Sequence, residues 1–285
     1  MMRQTGSCFD KEVLEKLIRA YNRHYPKKAI RNVEKKSFPQ LWKELQKKLK
    51  AYCGKDESCW VSHLGMDNDD TVDDYVRPKT PSEWLSDPDA WLSNFDIEAV
   101  MIQYERKFKP MYDFLGVYPV DFLRKTSTHQ CYYPEVCNFQ LKKAYEAGTR
   151  YIGLVINLDP HDEPGSHWTS LFVCIDPRKA CFGAYYYDSV TGEAPSDMKI
   201  FMKELKRQAD LFKKELKVTR AFKIEENKVR HQYGHSECGV FSMYYQLRWL
   251  QQALDTKGKI TFQEVVGPKI TDSEVFKLRK ILFRP

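Results

Sequence analysis

The sequence predicts an α+β fold, a core built on a central sheet preceded by an N-terminal helical arm, and three observations carry that expectation. Short apolar runs rich in β-branched and aromatic residues, Tyr151 to Leu158, Thr169 to Ile175 and Ala184 to Tyr187, cluster mid-chain and read as strands. Apolar residues at helical spacing lie on both sides of them. Between the first helical segments and the rest runs an acidic stretch, Asp67 to Asp89, that carries Pro78, Pro81 and Pro88 and suits a surface linker.

The elements follow in order. Asp10 stands as an N-cap before Val13, Leu14, Leu17, Ile18 and Tyr21, a stripe that Pro26 ends. Ser37 and Gln40 form a capping box before Leu41, Leu45, Leu49 and Tyr52, which gives a second helix beneath a lysine-rich face. A domain boundary is expected near residue 85, with the arm and linker as 1–85 and the core as 86–285. Ile97, Val100, Met101, Tyr104 and Phe108 trace a helix that begins at Ser93 or Asn94. After the three strands, Ser196 opens a helix on Phe201, Leu205, Ala209 and Phe212, and Val218 to Ile224 are strand-like. Val240, Phe241, Tyr244, Leu247 and Leu250 make another helix, and Thr271 with Glu274 caps the last. No internal repeat or low-complexity tract interrupts this order.

Composition narrows the function classes. The chain has 285 residues, of which 42% are hydrophobic and 14% aromatic, enough for a sizeable core. Its longest uncharged apolar run falls well short of the roughly 20 residues of a membrane helix, and Met1-Met2-Arg3-Gln4 lacks the apolar core of a secretory signal. The formal charge of +7 is uneven: residues 1–50 hold 14 Lys and Arg against 5 Asp and Glu, and residues 51–100 hold 3 against 12. A basic arm is thus followed by an acidic belt; such an arm can track nucleic acid or an acidic scaffold, although lysines between apolar helix positions also make an ordinary solvated face.

Eight cysteines at irregular spacing form no disulfide framework, so reduced thiols are expected. The gaps among Cys53, Cys59 and His63, and between Cys131 and Cys137, lack the short pairs of a structural zinc site, so no metal is expected. Cys174 and Cys181 read as core thiols, and loop polarity accounts for His231 and His235.

Cys238 differs in its company. It lies in Gln232-Tyr233-Gly234-His235-Ser236-Glu237-Cys238-Gly239, immediately before an amphipathic helix, where the partial positive charge of the helix N-terminus favours a thiolate. Gly239 leaves room for backbone and substrate to approach. A thiolate nucleophile needs a base, and a histidine serves when a carboxylate fixes its tautomer. His167 opens one strand and Asp188 ends the next, so neighbouring strands with similar ends would set them side by side. The Gln232 amide and the Cys238 N–H are candidate oxyanion donors.

The order His167-Trp168, Asp188-Ser189, Gln232 and Cys238-Gly239 resembles the adenain and Ulp1-type cysteine peptidases. It is most similar to the polyprotein-processing proteases of large cytoplasmic DNA viruses, the African swine fever virus enzyme among them. Ser58-Cys59, Ser93-Asn94-Phe95-Asp96-Ile97, Asn157, Ile270-Thr271-Asp272 and Leu282-Phe283-Arg284 extend that resemblance over most of the chain, weakly before residue 55. In the African swine fever virus enzyme the third triad position looks like Asn, whereas here it is Asp188.

The resemblance implies a core in which a mixed sheet is flanked by helices. It further implies thiol protease activity without a cofactor, cleavage after Gly-Gly in structural polyproteins during virion maturation, and residence in the virion and host cytoplasm. His167, Asp188, Gln232 and Cys238 would be catalytic, and Trp168, Trp91 and Asn157 would bind substrate. Three alternatives stay open: deconjugation of ubiquitin-like modifiers whose tails also end in Gly-Gly, acetyl transfer through the same side chains, and an inactive binding module.

Overall fold

The N-terminal amphipathic stripes pack among themselves and the later ones pack on the strands, and a computed structural model describes the result for residues 7, 9–67, 69–73 and 75–284, with 70 and 73 by backbone alone. The opening Met1 to Gln4 lies outside the described residues. Two compact units are present, Met1–Thr80 together with Leu282–Pro285, and Pro81–Ile281.

The first unit is helical: α1 (Lys11–His24), α2 (Phe38–Cys53), α3 (Glu57–His63) and α4 (Asp70–Asp73). Asp10 caps α1 by accepting from Val13 N at 3.0 Å, and the Ser37 N–H donates to Gln40 Oε1 at 2.8 Å ahead of α2. The predicted stripes of both helices are buried around Trp60 with one exception. Tyr52 is 56% exposed, and Cys53, one position on, takes the inward place at the end of α2. The acidic stretch is not wholly a linker, because Val72 and Val76 are buried in this unit's core.

The second unit adds α5 (Asn94–Phe108), β1 (Tyr112–Tyr118), α6 (Pro134–Cys137), α7 (Leu141–Glu146), β2 (Tyr151–Asn157), β3 (Trp168–Cys174), β4 (Gly183–Tyr187), α8 (Ser196–Glu215), β5 (Lys223–Glu226), α9 (Cys238–Asp255), α10 (Phe262–Val266) and α11 (Asp272–Leu282). The strands form one mixed sheet in the order β1-β2-β3-β4-β5, parallel at both outer pairs and antiparallel between β2, β3 and β4. β1 was not expected from the sequence, and the predicted strand at 218–224 forms instead at 223–226.

Alternation along the strands supplies two apolar faces. Ile152, Leu154, Ile156, Leu171, Val173, Ala184 and Tyr186 pack in one core with Met198, Phe201, Leu205 and Phe212 of α8. On the opposite face Phe172 stacks on Trp249 of α9 at 5.0 Å and 9°, and Gln246 Nε2 donates to Leu154 O at 2.6 Å. Helices on both faces explain why β2, β3 and β4 are buried throughout.

The expectation of reduced thiols is corrected. Cys53 is bonded to Cys59 and Cys131 to Cys137, with Cα separations of 5.4 and 6.1 Å. The turn from α2 to α3 returns the chain so that a separation of six residues fits the span a disulfide needs, a proximity that spacing alone does not reveal. Cys174, Cys181 and Cys238 are free and buried.

Candidate active site

Register places the predicted histidine and aspartate. β3 and β4 are antiparallel with Ser170 opposite Tyr187, so His167, just before β3, and Asp188, just after β4, emerge at the same end of the sheet. His167 Nε2 lies 2.7 Å from Asp188 Oδ1, with Asp188 1% exposed at its side chain. The Asp188 carboxylate also accepts from Val190 N at 2.9 Å and Gly192 N at 2.7 Å. Gly192 permits that approach, since a Cβ there would stand 2.4 Å from Asp188 Oδ2.

Cys238 is the first residue of α9 and is buried, near enough to His167 for the two groups to interact electrostatically. With Nε2 committed to Asp188, Nδ1 is the ring nitrogen left for the sulfur. The helix is closed by Phe241 N donating to Glu237 O at 2.8 Å, and the N–H of Cys238 belongs to the first turn, which has no intrahelical acceptor. Burial pulls the His167 imidazole down, but its hydrogen bond to Asp188 and its interaction with Cys238 outweigh this and push it up to about 9. Burial likewise works against the Asp188 carboxylate, yet the His167 bond and the two backbone N–H donors hold it below its ordinary 3.8. The protonated form of the His167 imidazole is therefore favoured.

Gln232 is buried beside Asp188-Ser189. Ser189 Oγ donates to Gln232 Oε1 at 2.6 Å, Gln232 N donates to Ser189 O at 3.0 Å, and Gln232 Nε2 donates to Gly234 O at 3.1 Å. The amide is thus fixed, with the second hydrogen of Nε2 beyond the one given to Gly234.

The three residues predicted to bind substrate fall in different places. Trp168 is almost wholly buried and donates from Nε1 to Leu92 O at 3.0 Å. Trp91 is 48% exposed, and its neighbour Leu92 makes the inward contact: a Cβ on Gly239 would stand 3.3 Å from Leu92 Cδ1, Ile97 Cδ1 and Trp168 Cδ1. Asn157 turns to its own loop, where Oδ1 accepts from Asp159 N at 3.0 Å and Ser166 N at 3.1 Å and so sets the approach to His167. His231 is part of the core, between Tyr187 OH at 3.2 Å and Val266 O at 2.9 Å, and burial lowers its pKa.

One residue of the constellation escaped the sequence reading. Asn227 leaves β5 beside Asp188 and grips its main chain, accepting from Asp188 N at 2.8 Å and donating to Asp188 O at 2.7 Å. No local motif marks it, because its partner lies 39 residues away.

Comparison with known proteins identifies the family and the fold. Residues 122–283 match the family model described as the Ulp1 protease family, C-terminal catalytic domain. A thiol protease of Acanthamoeba polyphaga mimivirus is 27% identical over 299 residues, covering 99% of this chain and 90% of that protein. A cysteine protease of African swine fever virus is 26% identical over 267 residues, 88% of this chain and 90% of that one. The crystal structure of an African swine fever virus protease shares the fold, with a TM-score of 0.61 at 22% identity over 85% of this chain and 90% of the other.

Proposed function

The chain belongs to the Ulp1 protease family and is a cysteine protease, and from that premise we propose that Cys238, His167, Asp188 and Gln232 carry out hydrolysis after Gly-Gly in a viral structural polyprotein. The observation that carries the site assignment is the 2.7 Å contact of His167 Nε2 with Asp188 Oδ1, next to the buried Cys238 that opens α9.

In this reading the Cys238 thiolate attacks the scissile carbonyl while the proton resides on His167. The oxyanion is met by the Cys238 N–H and the Gln232 amide. His167 passes its proton to the departing amine, leaving a thioester. It then takes a proton from water, the hydroxide equivalent releases the acid, and the proton returns to the Cys238–His167 pair. Selection of Gly at the subsite next to the nucleophile is part of this reading, since a residue without a Cβ fits where a larger one does not.

Polyprotein processing in the virion and host cytoplasm is part of this reading, which starts from relatives covering most of the chain that are viral proteases. The basic faces of α1 and α2 would dock on a scaffold or nucleic acid; salt-insensitive binding removes that part. Deconjugation of a ubiquitin-like modifier is the second reading, because the family is the Ulp1 family and one relative is named a SUMO-1 cysteine protease.

The deciding experiment incubates wild type and Cys238→Ala with a Gly-Gly-Xaa peptide library and with an intact modifier conjugate, and identifies products by mass spectrometry. Cleavage after the second glycine of short peptides, lost in the variant, is expected. Cleavage of the conjugate alone selects the second reading, and normal turnover by Cys238→Ala removes Cys238 from the mechanism. Gln232→Ala should lower kcat by roughly 10²- to 10³-fold, the usual effect of losing one oxyanion donor.

A further inference from the structure

The loop from Gln232 to Glu237, which presents Cys238, is held at both ends by α11. Near its start, Tyr233 N donates to the Asp272 carboxylate at 3.1 and 3.3 Å. At its end, Arg279 Nη2 lies 2.7 Å from Glu237 Oε1 and donates to Ser236 O at 3.3 Å, while Arg279 Nε donates to Glu237 Oε2 at 3.1 Å. Asp272 and Arg279 are seven residues apart, two turns of one helix face.

The same guanidinium reaches a second segment. Nη1 donates to Pro88 O at 2.7 Å and Ala90 O at 3.1 Å, and the group sits 4.2 Å over the Trp84 ring, whose Nε1 also donates to Ala90 O at 2.9 Å. All five N–H donors of an arginine are thereby spent, three on the loop before the nucleophile and two on the segment leading to Leu92, which packs on Gly239 and accepts from Trp168. Both charged side chains of the Arg279–Glu237 pair are 4% exposed. A pair so desolvated adds little net stability over apolar packing, so geometry is what it supplies.

We infer that α11 is the template of the Cys238 loop and that Arg279 is a positioning residue, setting the loop against the 88–92 segment, whose Leu92 packs on Gly239. This rests on Cys238 being the nucleophile. Arg279 meets no reacting atom; it acts through Ser236, Glu237 and the backbone of 88–90. A lysine keeps the charge and loses the fork, which separates geometry from electrostatics.

The test uses the full chain as wild type, Arg279→Lys and Asp272→Ala. Alkylation of Cys238 by iodoacetamide counts native sites and reads the Cys238–His167 pair, and kcat and KM are measured per counted site on a Gly-Gly peptide. Arg279→Lys is expected to alkylate at a near wild-type rate, with kcat down about 10- to 100-fold, the scale of a misplacement near 1 Å, and with KM raised. Asp272→Ala, on a partly exposed residue, is expected to lower kcat with KM unchanged, because the 88–92 segment keeps its holder. Constant kcat and KM per site in both variants overturns the proposal. If Arg279→Lys yields no native site, Asp272→Ala decides alone by the same criterion. A wild type that alkylates but cleaves no peptide sinks the protease reading separately. Amide exchange of residues 234–239 then decides the template: faster exchange in Asp272→Ala supports it and unchanged exchange overturns it.

Discussion

The Asp188 carboxylate takes three hydrogen bonds, from His167 and from the N–H groups of Val190 and Gly192, and these fix the pH behaviour of the site. His167 is raised from 6.5 to about 9, so the stability it contributes is complete below pH 6.5 and is lost as pH rises through 9. Asp188 is lowered from 3.8, so its contribution is complete above that value and is lost as pH falls through the depressed one. Asp188→Asn should therefore move the alkaline limb of kcat/KM from about 9 towards 6.5, checked by a pH–rate profile. Asn227→Ala leaves the buried Asp188 N–H and C=O without their side-chain partner and should cost about 1–3 kcal/mol in urea unfolding, together with a fall in kcat. The candidate triad was legible in the sequence because a thiol at a helix start, an imidazole and a carboxylate at strand ends are recognisable types. Asn227 was not, since an amide gripping a distant main chain leaves no trace in spacing.

At the scale of elements, the legible ones were those with an uninterrupted period. The stripes of α1, α2 and α8 and the solid apolar runs of β2, β3 and β4 are of this kind. β1 is an outer strand whose burial alternates, and Asp113 and Gly116 break up its apolar signal; the alternation Tyr112, Phe114, Tyr118 was the available clue. β5 was displaced because its residues are exposed or only partly buried, so pairing with β4 fixes its position and not its own pattern. Gly239, in the first turn of α9, permits a quantitative test. Gly239→Ala gains up to about 0.5–1 kcal/mol of helix propensity but presses a methyl on Leu92, Ile97 and Trp168, an overpacking that costs about 1–3 kcal/mol. A net loss is expected, seen as a lower Tm, with a larger loss for Gly239→Val.

At the scale of the whole molecule, the disulfides and the divided first unit set the stability. Cys53–Cys59 closes a short loop, worth about 2–3 kcal/mol in the chain-entropy account, so dithiothreitol should speed amide exchange in α2 and α3. Arg284 is buried, pairs with Asp67, and donates to Ser62 Oγ at 3.0 Å and Arg77 O at 2.9 Å, while its own carbonyl accepts from Thr80 N at 2.8 Å. Arg284→Ala leaves Asp67 without this partner and should destabilise the first unit by about 2–3 kcal/mol, less than the 3–5 of a wholly buried pair because the Asp67 side chain is 21% exposed. Amide exchange of α1 and α2 reads that loss.

The Thr80 to Arg284 hydrogen bond spans 204 residues. A ribosome adding about 5–20 residues per second leaves on the order of 10–40 s between the emergence of these two ends. During that interval the helices made first have no guanidinium against Asp67 and no strand partner for Lys79. The first unit therefore closes only after Arg284 has been made, by which time the loop at 232–238 has already been synthesised.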